Sequence, residues 1–201
     1  FNLFKKTLNE NLNEKNYTYP KLTSINDAKN KIRNYLKLIA NGKKIIVLHI
    51  DEKWSVNKLN DINVFQMFKS IHYQSKKNYV IMITTGMHLT DINSFFRKNL
   101  NIENYDAVDI DMKYSLSYSD VYVLERINLI DLISLISQSH LVIEPHGSIT
   151  HIASIYNIPL IDVIKNESRS FFLKWKPKSN IYKQVEFKDI KKIGNLLKEF
   201  M

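Results

Sequence analysis

Residues 141–164 read LVIEPHGSITHIASIYNIPLIDVI, and this stretch decides the fold. Leu141, Val142 and Ile143 are apolar in succession, with no polar residue between them. Such a run predicts a strand buried on both faces, and hence a parallel sheet. Pro145 cannot donate to a strand ladder and ends the run. Gly147 permits a positive φ or a close backbone approach. Ser148 and Thr150 place hydroxyls at the start of a helix over Ser148–Tyr156, and Leu160–Ile164 is the next apolar strand. Strand, loop, helix and strand follow one another within 24 residues.

The same alternation extends outward. Ile25, Ala28, Ile32, Tyr35, Leu36 and Ile39 recur at helical spacing, with Ser24 as N-cap, Asp27 in the first turn and Gly42 as a stop. Ile45–Ile50 is a second buried strand. Asn60–Ser75 is a helix with Ile62, Phe65, Phe68 and Ile71 inward, and Tyr79–Thr84 a strand. Asp91–Leu100 is a short helix and Ala107–Asp111 a weaker strand. Leu129–Ser139 is a helix with Leu129, Leu132, Ile133 and Ile136 inward. Phe187–Phe200 closes the chain as a helix. Strands alternating with helices in this way predict an α/β fold, a Rossmann-like doubly wound and mainly parallel sheet. Residues 1–20 are polar and Asn-rich and read as a linker or N-terminal arm, leaving 21–201 as one domain.

Composition narrows the function classes. The chain has 201 residues, 44% of them hydrophobic, enough for a sizeable core. It has no cysteine, which excludes disulfides and thiolate metal sites. No run of about 18 apolar residues offers a membrane span. The start of the chain is too polar for a secretory signal. The net charge of +9 suits nucleic acid, anionic lipid or small anions, but the lysines are spread along the chain, as on a solvated surface.

In doubly wound sheets ligands bind beyond the carboxyl ends of the strands, where strand order reverses. The loops that matter therefore follow strands, and Glu144–His151 is the most informative. Its helix start offers unpaired N–H groups and the positive end of the helix dipole, an arrangement that suits a diphosphate. His146 and His151 flank the turn, and each can donate a hydrogen bond to a phosphate oxygen. Taken singly, Gly147 serves a turn, Ser148 caps a helix and His151 fills a core. Taken together at a strand's carboxyl end, they predict an anion site. No third ligand at metal spacing accompanies the two histidines, so no metal is expected. Asp109 and Asp111 form a D-x-D, read as a solvated strand end, with a divalent-ion site for a diphosphate as the alternative. Arg169, Lys174 and Lys176 are read as a solvated loop and Trp175 as packing.

Residues 127–164, INLIDLISLISQSHLVIEPHGSITHIASIYNIPLIDVI, resemble the donor-site segment of the heptosyltransferase-like family-9 glycosyltransferases. That segment has a helix, an apolar strand, a D-[ST]-G-x-x-H loop, a helix of small residues, and a Pro opening the next strand. Counted back from Pro159, His151 stands at the family's His and Thr150 at the polar residue before it. His146 stands at the family's Asp and Gly147 at its Ser or Thr, with Glu144 the nearest acid in sequence. Residues 43–58, KKIIVLHIDEKWSVNK, resemble the strand and K-x-W-P loop that open the family's second domain, with Lys53 directly before Trp54 and Ser55 in place of Pro. Thr90 or Asp91 lies where the family puts a ribose-binding acid.

The resemblance spans about residues 20–200. It implies the second half of a GT-B fold: a nucleotide-sugar donor-binding domain of an inverting, metal-independent glycosyltransferase, acting on a cell-surface glycan such as lipopolysaccharide or capsule. Lys53, His146, Gly147, Ser148, Thr150 and His151 would bind the donor phosphates. Thr90, Asp91 and Glu144 would lie toward ribose and base. The acceptor site and catalytic base would belong to an N-terminal domain absent from these residues, so this piece alone would bind donor without transferring it. No cofactor is implied beyond the nucleotide-diphosphate sugar as substrate. The partners would be that donor and a glycan or glycolipid acceptor, with peripheral contact to an anionic inner-membrane face from the cytoplasm. No nucleic acid is expected. Three alternatives stand beside this reading. One is a pyruvyl-transferase-like polysaccharide-modifying enzyme. Another is a basic nucleic-acid or membrane-surface module built on Lys174–Lys178. The third is a degenerate transferase domain kept as a scaffold.

Overall fold

The computed structural model describes residues 26–51, 61–75, 78–85, 98, 102–103, 112–115, 120–125, 127–165, 170, 174, 177 and 181–200. In chain order the elements are α1 (Asn26–Ala40), β1 (Lys44–Ile50), α2 (Asp61–Ser75), β2 (Tyr79–Thr85), β3 (Ile102–Glu103), β4 (Met112–Ser115) and β5 (Val121–Leu124). There follow α3 (Leu129–Ile136), β6 (Leu141–Pro145), α4 (Ser148–Ile155), β7 (Leu160–Ile164), β8 (Tyr182–Glu186) and a closing segment. That segment is a 3₁₀ turn (Phe187–Lys192), α5 (Ile193–Leu196) and a second 3₁₀ turn (Leu197–Glu199).

The strands form one sheet in the order β3-β4-β5-β2-β1-β6-β7-β8. In that order every neighbouring pair from β5 to β8 is parallel, and β4, near one edge, runs antiparallel to both β3 and β5. The expected Rossmann-like, mainly parallel α/β sheet is therefore observed. β1 lies between β2 and β6, so the chain winds one way through β2 and the other way through β6 and β7. The sheet's switch point lies between β1 and β6. Every residue of β1 from Ile45 to Ile50 is buried, because helices cover both faces. Ile46, Leu48, Ile143 and Ile161 pack with Val64, Phe68 and Ile71 of α2 on one face. Ile45, Val47, Val142 and Leu160 pack with Ile32, Leu132, Leu135, Ile149 and Ala153 of α1, α3 and α4 on the other.

Several expectations change at the margins. Leu129 and Ile62, expected inward, are 60% and 53% exposed. Each opens its helix, where the chain has not yet turned onto the sheet. α3 ends at Ile136 rather than Ser139, where the cap N–H of Ser137 bonds back to Ile133 and Leu135. Phe187–Phe200 is a broken 3₁₀–α–3₁₀ segment, not one helix. β8 was not anticipated: in YKQVE only Val185 is buried, as befits a strand on the sheet's rim. Ser24, residues 1–20 and the Ala107–Asp111 strand lie outside the described residues, and of Asp91–Leu100 only Lys98 is described, as helical.

Gly42 closes α1 at φ +82°, the left-handed geometry expected of its stop. Gly194 has a different reason. A Cβ there would stand 2.0 Å from Ser70 Oγ and 2.8 Å from the Ser70 backbone carbonyl carbon and oxygen. α5 thus meets α2 at backbone contact. Gly194→Ala is expected to lower stability by about 1–3 kcal/mol in urea unfolding. Adding Ser70→Ala will not restore it, since the carbonyl still obstructs; full recovery in the double variant would show that the hydroxyl was the only obstacle.

Candidate functional site

β6 delivers the site. Its carboxyl end reaches Pro145, the backbone turns through His146 and Gly147, and α4 starts at Ser148. Gly147 is the N-cap, at φ −172° and ψ −158°. This is extended backbone, so the positive φ offered as a reason for glycine here is not used. The Gly147 N–H donates to Thr150 Oγ1 at 3.1 Å, half of a capping box. The Thr150 hydroxyl in turn donates to the Glu144 carboxylate. Thr150 and Glu144 are both fully buried. The Thr150 side chain therefore braces the loop from beneath, and what this residue presents at the helix start is its backbone N–H. Glu144, expected near ribose, is turned under α4. Ser148 is exposed at the first helical position.

His146 is held from the neighbouring strand. Its Nδ1 lies 2.6 Å from Asp162 Oδ2, with the two side chains 9% and 0% exposed. The Tyr182 hydroxyl donates to the same Asp162 oxygen at 2.5 Å, and Gln184 Nε2 donates to Tyr182 Oη at 2.6 Å. Strand register explains the assembly: Glu144 pairs with Asp162, and Asp162 with Gln184. Residues opposite one another in a parallel sheet share a face, so these three form one polar row across β6, β7 and β8 beneath α4. Burial, and then the Asp162 charge, push the Tyr182 phenol far above its ordinary range, so it remains a donor.

His151 sits on the first turns of α4 with its ring edge-on to His146, centroids 6.0 Å apart. Burial first, then the nearby His146, hold its pKa below 6.5, while Asp162 pulls the other way. The sign follows. The unfolded chain binds more protons than the folded one just below pH 6.5, so this group costs the fold stability as pH falls. His140 shows the contrast at the opposite, amino end of β6. Its Nδ1 accepts the Ile45 N–H at 3.1 Å and it serves the ladder, not the site.

A second polar group was missed in sequence. His49 Nδ1 lies 2.9 Å from Thr84 Oγ1, and His49 Nε2 lies 4.0 Å from Asp51, at the carboxyl ends of β1 and β2. The signal was a lone His inside an apolar strand, IIVLHI. Lys53, Thr90, Asp91, Asp109, Asp111, Arg169, Trp175 and Lys176 lie outside the described residues, and Lys174 is helical and exposed. Among the described residues no group of three or more His, Cys, Asp or Glu could hold a metal ion, and no helix is long and apolar enough to cross a membrane.

No family model matches this chain, and no curated protein does. Solved structures do. The ADP-heptose lps heptosyltransferase II of Escherichia coli superposes at a TM-score of 0.61 with 11% identity, over 91% of this chain and 53% of the other. A UDP-GlcNAc 2-epimerase of Methanocaldococcus jannaschii, in complex with UDP-GlcNAc and UDP, gives 0.60 and 11%, over 89% and 44%. A family-9 glycosyl transferase of Veillonella parvula gives 0.55 and 13%, over 87% and 44%. The class is thus the Rossmann-like α/β fold of GT-B enzymes. More particularly, the chain shares the fold of one part of these solved structures and spans about half, or less, of their length.

Thr150→Val keeps the side-chain shape and removes the donor to Glu144. It is expected to cost about 1.5–3 kcal/mol, as for a hydrogen bond to a buried charge, while Thr150→Ser stays within about 1 kcal/mol of the parent. Denaturant unfolding checks both. A Val variant of parental stability would mean that the hydroxyl braces nothing.

Proposed function

We propose that this chain is the nucleotide-sugar donor-binding domain of an inverting glycosyltransferase acting on a cell-surface glycan. The observation that carries it is the start of α4. Three successive helical N–H groups, of Ser148, Ile149 and Thr150, open beside the switch point with His146 and His151 alongside. A diphosphate placed there meets backbone donors, the helix dipole and two imidazoles. The fold likeness to a heptosyltransferase and to an epimerase solved with UDP and UDP-GlcNAc supports the choice of ligand.

In transfer, the bond from the sugar's anomeric carbon to the phosphate oxygen breaks, and its electron pair stays on the diphosphate. Groups aimed at that oxygen stabilise the growing charge, each by on the order of 2–4 kcal/mol. Gly147, Ser148 and Thr150 would serve through backbone, and His146 and His151 through their rings. Lys53, two residues beyond Asp51, is the proposed cation on the phosphate, and Thr90 or Asp91 the proposed ribose contact. No metal is assigned to this step. In this reading the acceptor site and the catalytic base would lie on another domain, and any contact with an anionic membrane face would be peripheral and from the cytoplasm.

The same donor site serves a second reading, a nucleotide-sugar epimerase half, favoured by the 0.60 TM-score to one such enzyme. Product analysis on a longer chain separates transfer from epimerisation.

Calorimetry with UDP, ADP, GDP and CDP is the direct test. At least one is expected to bind, and His151→Ala to weaken it about tenfold, near 1.4 kcal/mol. Absence of binding by all four sinks the proposal.

Because burial holds His151 neutral, a bound diphosphate favours its protonated form and lifts its pKa. Affinity should therefore rise as pH falls from 7.5 to 5.5. The parent should gain on the order of threefold to tenfold more than His151→Gln, which shares the ligand's own titration but lacks the imidazole. Equal gains would remove His151 from the phosphate.

A further inference from the structure

We infer that the His140 side chain is a pH-sensitive clamp, holding the amino end of the β1–β6 pair closed only while its ring is neutral. The inference is independent of the donor-site reading. It concerns the opposite end of the two strands that flank the switch point.

The clamp sits where the ladder begins. Ile45 is 3% exposed, and a buried backbone N–H needs an acceptor. The regular β1–β6 register starts one residue later, with Ile46 opposite Leu141. Before Leu141 the chain is still leaving α3, and the Ser139 N–H and hydroxyl both bond back to the Ile136 carbonyl. The acceptor that Ile45 finds is a side chain, not a strand carbonyl. His140 Nδ1 accepts the Ile45 N–H at 3.1 Å, and the His140 N–H donates to the Ile45 carbonyl at 2.8 Å. One residue thus engages both backbone groups of Ile45.

A ring nitrogen that accepts a backbone N–H cannot carry a hydrogen itself. Nδ1 therefore holds its lone pair, and the single ring hydrogen of the neutral form is on Nε2. His140 is exposed, so protons reach it from solvent. Protonation would set an Nδ1–H against the Ile45 N–H, donor against donor. Partial burial first, and then the Lys44 charge, hold the pKa of His140 below 6.5. Lys44 is on β1, with its Nζ 5.8 Å from the ring centroid of Tyr79 on β2. Lys43, just before β1, is taken up by Asp120 at 2.6 Å. The flanking turns, residues 137–139 and 157–159, carry no ionisable side chain. The sign follows. Opening returns the ring to its ordinary pKa, so the open form binds more protons, and the clamp weakens as pH falls through 6.5. Acid loosens the β1–β6 pair from the end away from the candidate site.

Amide exchange followed by NMR, expressed as protection so that the intrinsic pH dependence cancels, tests this on the chain as it stands. Between pH 7.5 and pH 5, protection of Ile45 is expected to fall on the order of threefold to tenfold more than that of Val47, which lies deeper in the same pair. His140→Asn keeps an acceptor oxygen without a titrating group and should remove this excess. Side-chain ¹⁵N signals of His140 at pH 7.5 should show Nδ1 bare and Nε2 carrying the hydrogen. An Nδ1–H form, an Ile45 response equal to that of Val47, or the same excess in His140→Asn would overturn the inference. The signals and exchange of the parent decide it even where the variant does not fold.

Discussion

Two carboxylates buried on neighbouring parallel strands set the terms for this end of the molecule. Glu144 and Asp162 are register partners on β6 and β7, and neither is exposed. Strands lie about 4.8 Å apart. Such a pair persists only if each member is supplied with donors. Glu144 takes the Thr150 hydroxyl from α4, and Asp162 takes His146 from the loop and Tyr182 from β8. Bonding one oxygen of each acid in this way ties the start of α4, the loop before it and the edge strand β8 to one another. The loop is held in shape by the same bonds that serve the two buried acids.

This arrangement explains why the fold was largely legible in sequence and the site only in part. The strands from β1 to β7 that are buried on both faces announce themselves as unbroken apolar runs, and Ile45–Ile50, Tyr79–Thr84 and Leu160–Ile164 lie within one residue of where they were expected. The position of α4 followed from Pro145 and the hydroxyls behind it. What failed were elements without such a run. β8 carries Lys183 and Gln184 and buries only Val185. The closing segment mixes 3₁₀ and α turns because it packs through Ile190, Ile193 and Leu197 rather than through one regular stripe.

The site was harder because its partners come from different strands. Residues 146, 162, 182 and 184 are far apart in sequence, and no spacing rule joins them; only register does. Asp162 sits inside LIDVI, where an acid in an apolar strand gives no sign of what it faces. His49 in β1 is the same case. Local motifs describe the loop between β6 and α4, whereas its support is laid out along the row that crosses the sheet.

The row also accounts for the substitution that sets this loop apart from the pattern it resembles. The resemblance would put an Asp where this chain has His146, and the nearest acid in sequence, Glu144, is committed to Thr150. The acid that meets His146 is Asp162, from the next strand and 2.6 Å away. A histidine alone at this position would lack a fixed orientation; an aspartate alone would stand against Asp162 as a third carboxylate beside Glu144. Histidine at 146 with aspartate at 162 avoids both difficulties. It keeps an acid at the base of the loop while presenting imidazole nitrogen above it. Replacing His146 alone by Asp would set two acids at hydrogen-bonding distance, and the loop that starts α4 would lose the contact that holds it to β7.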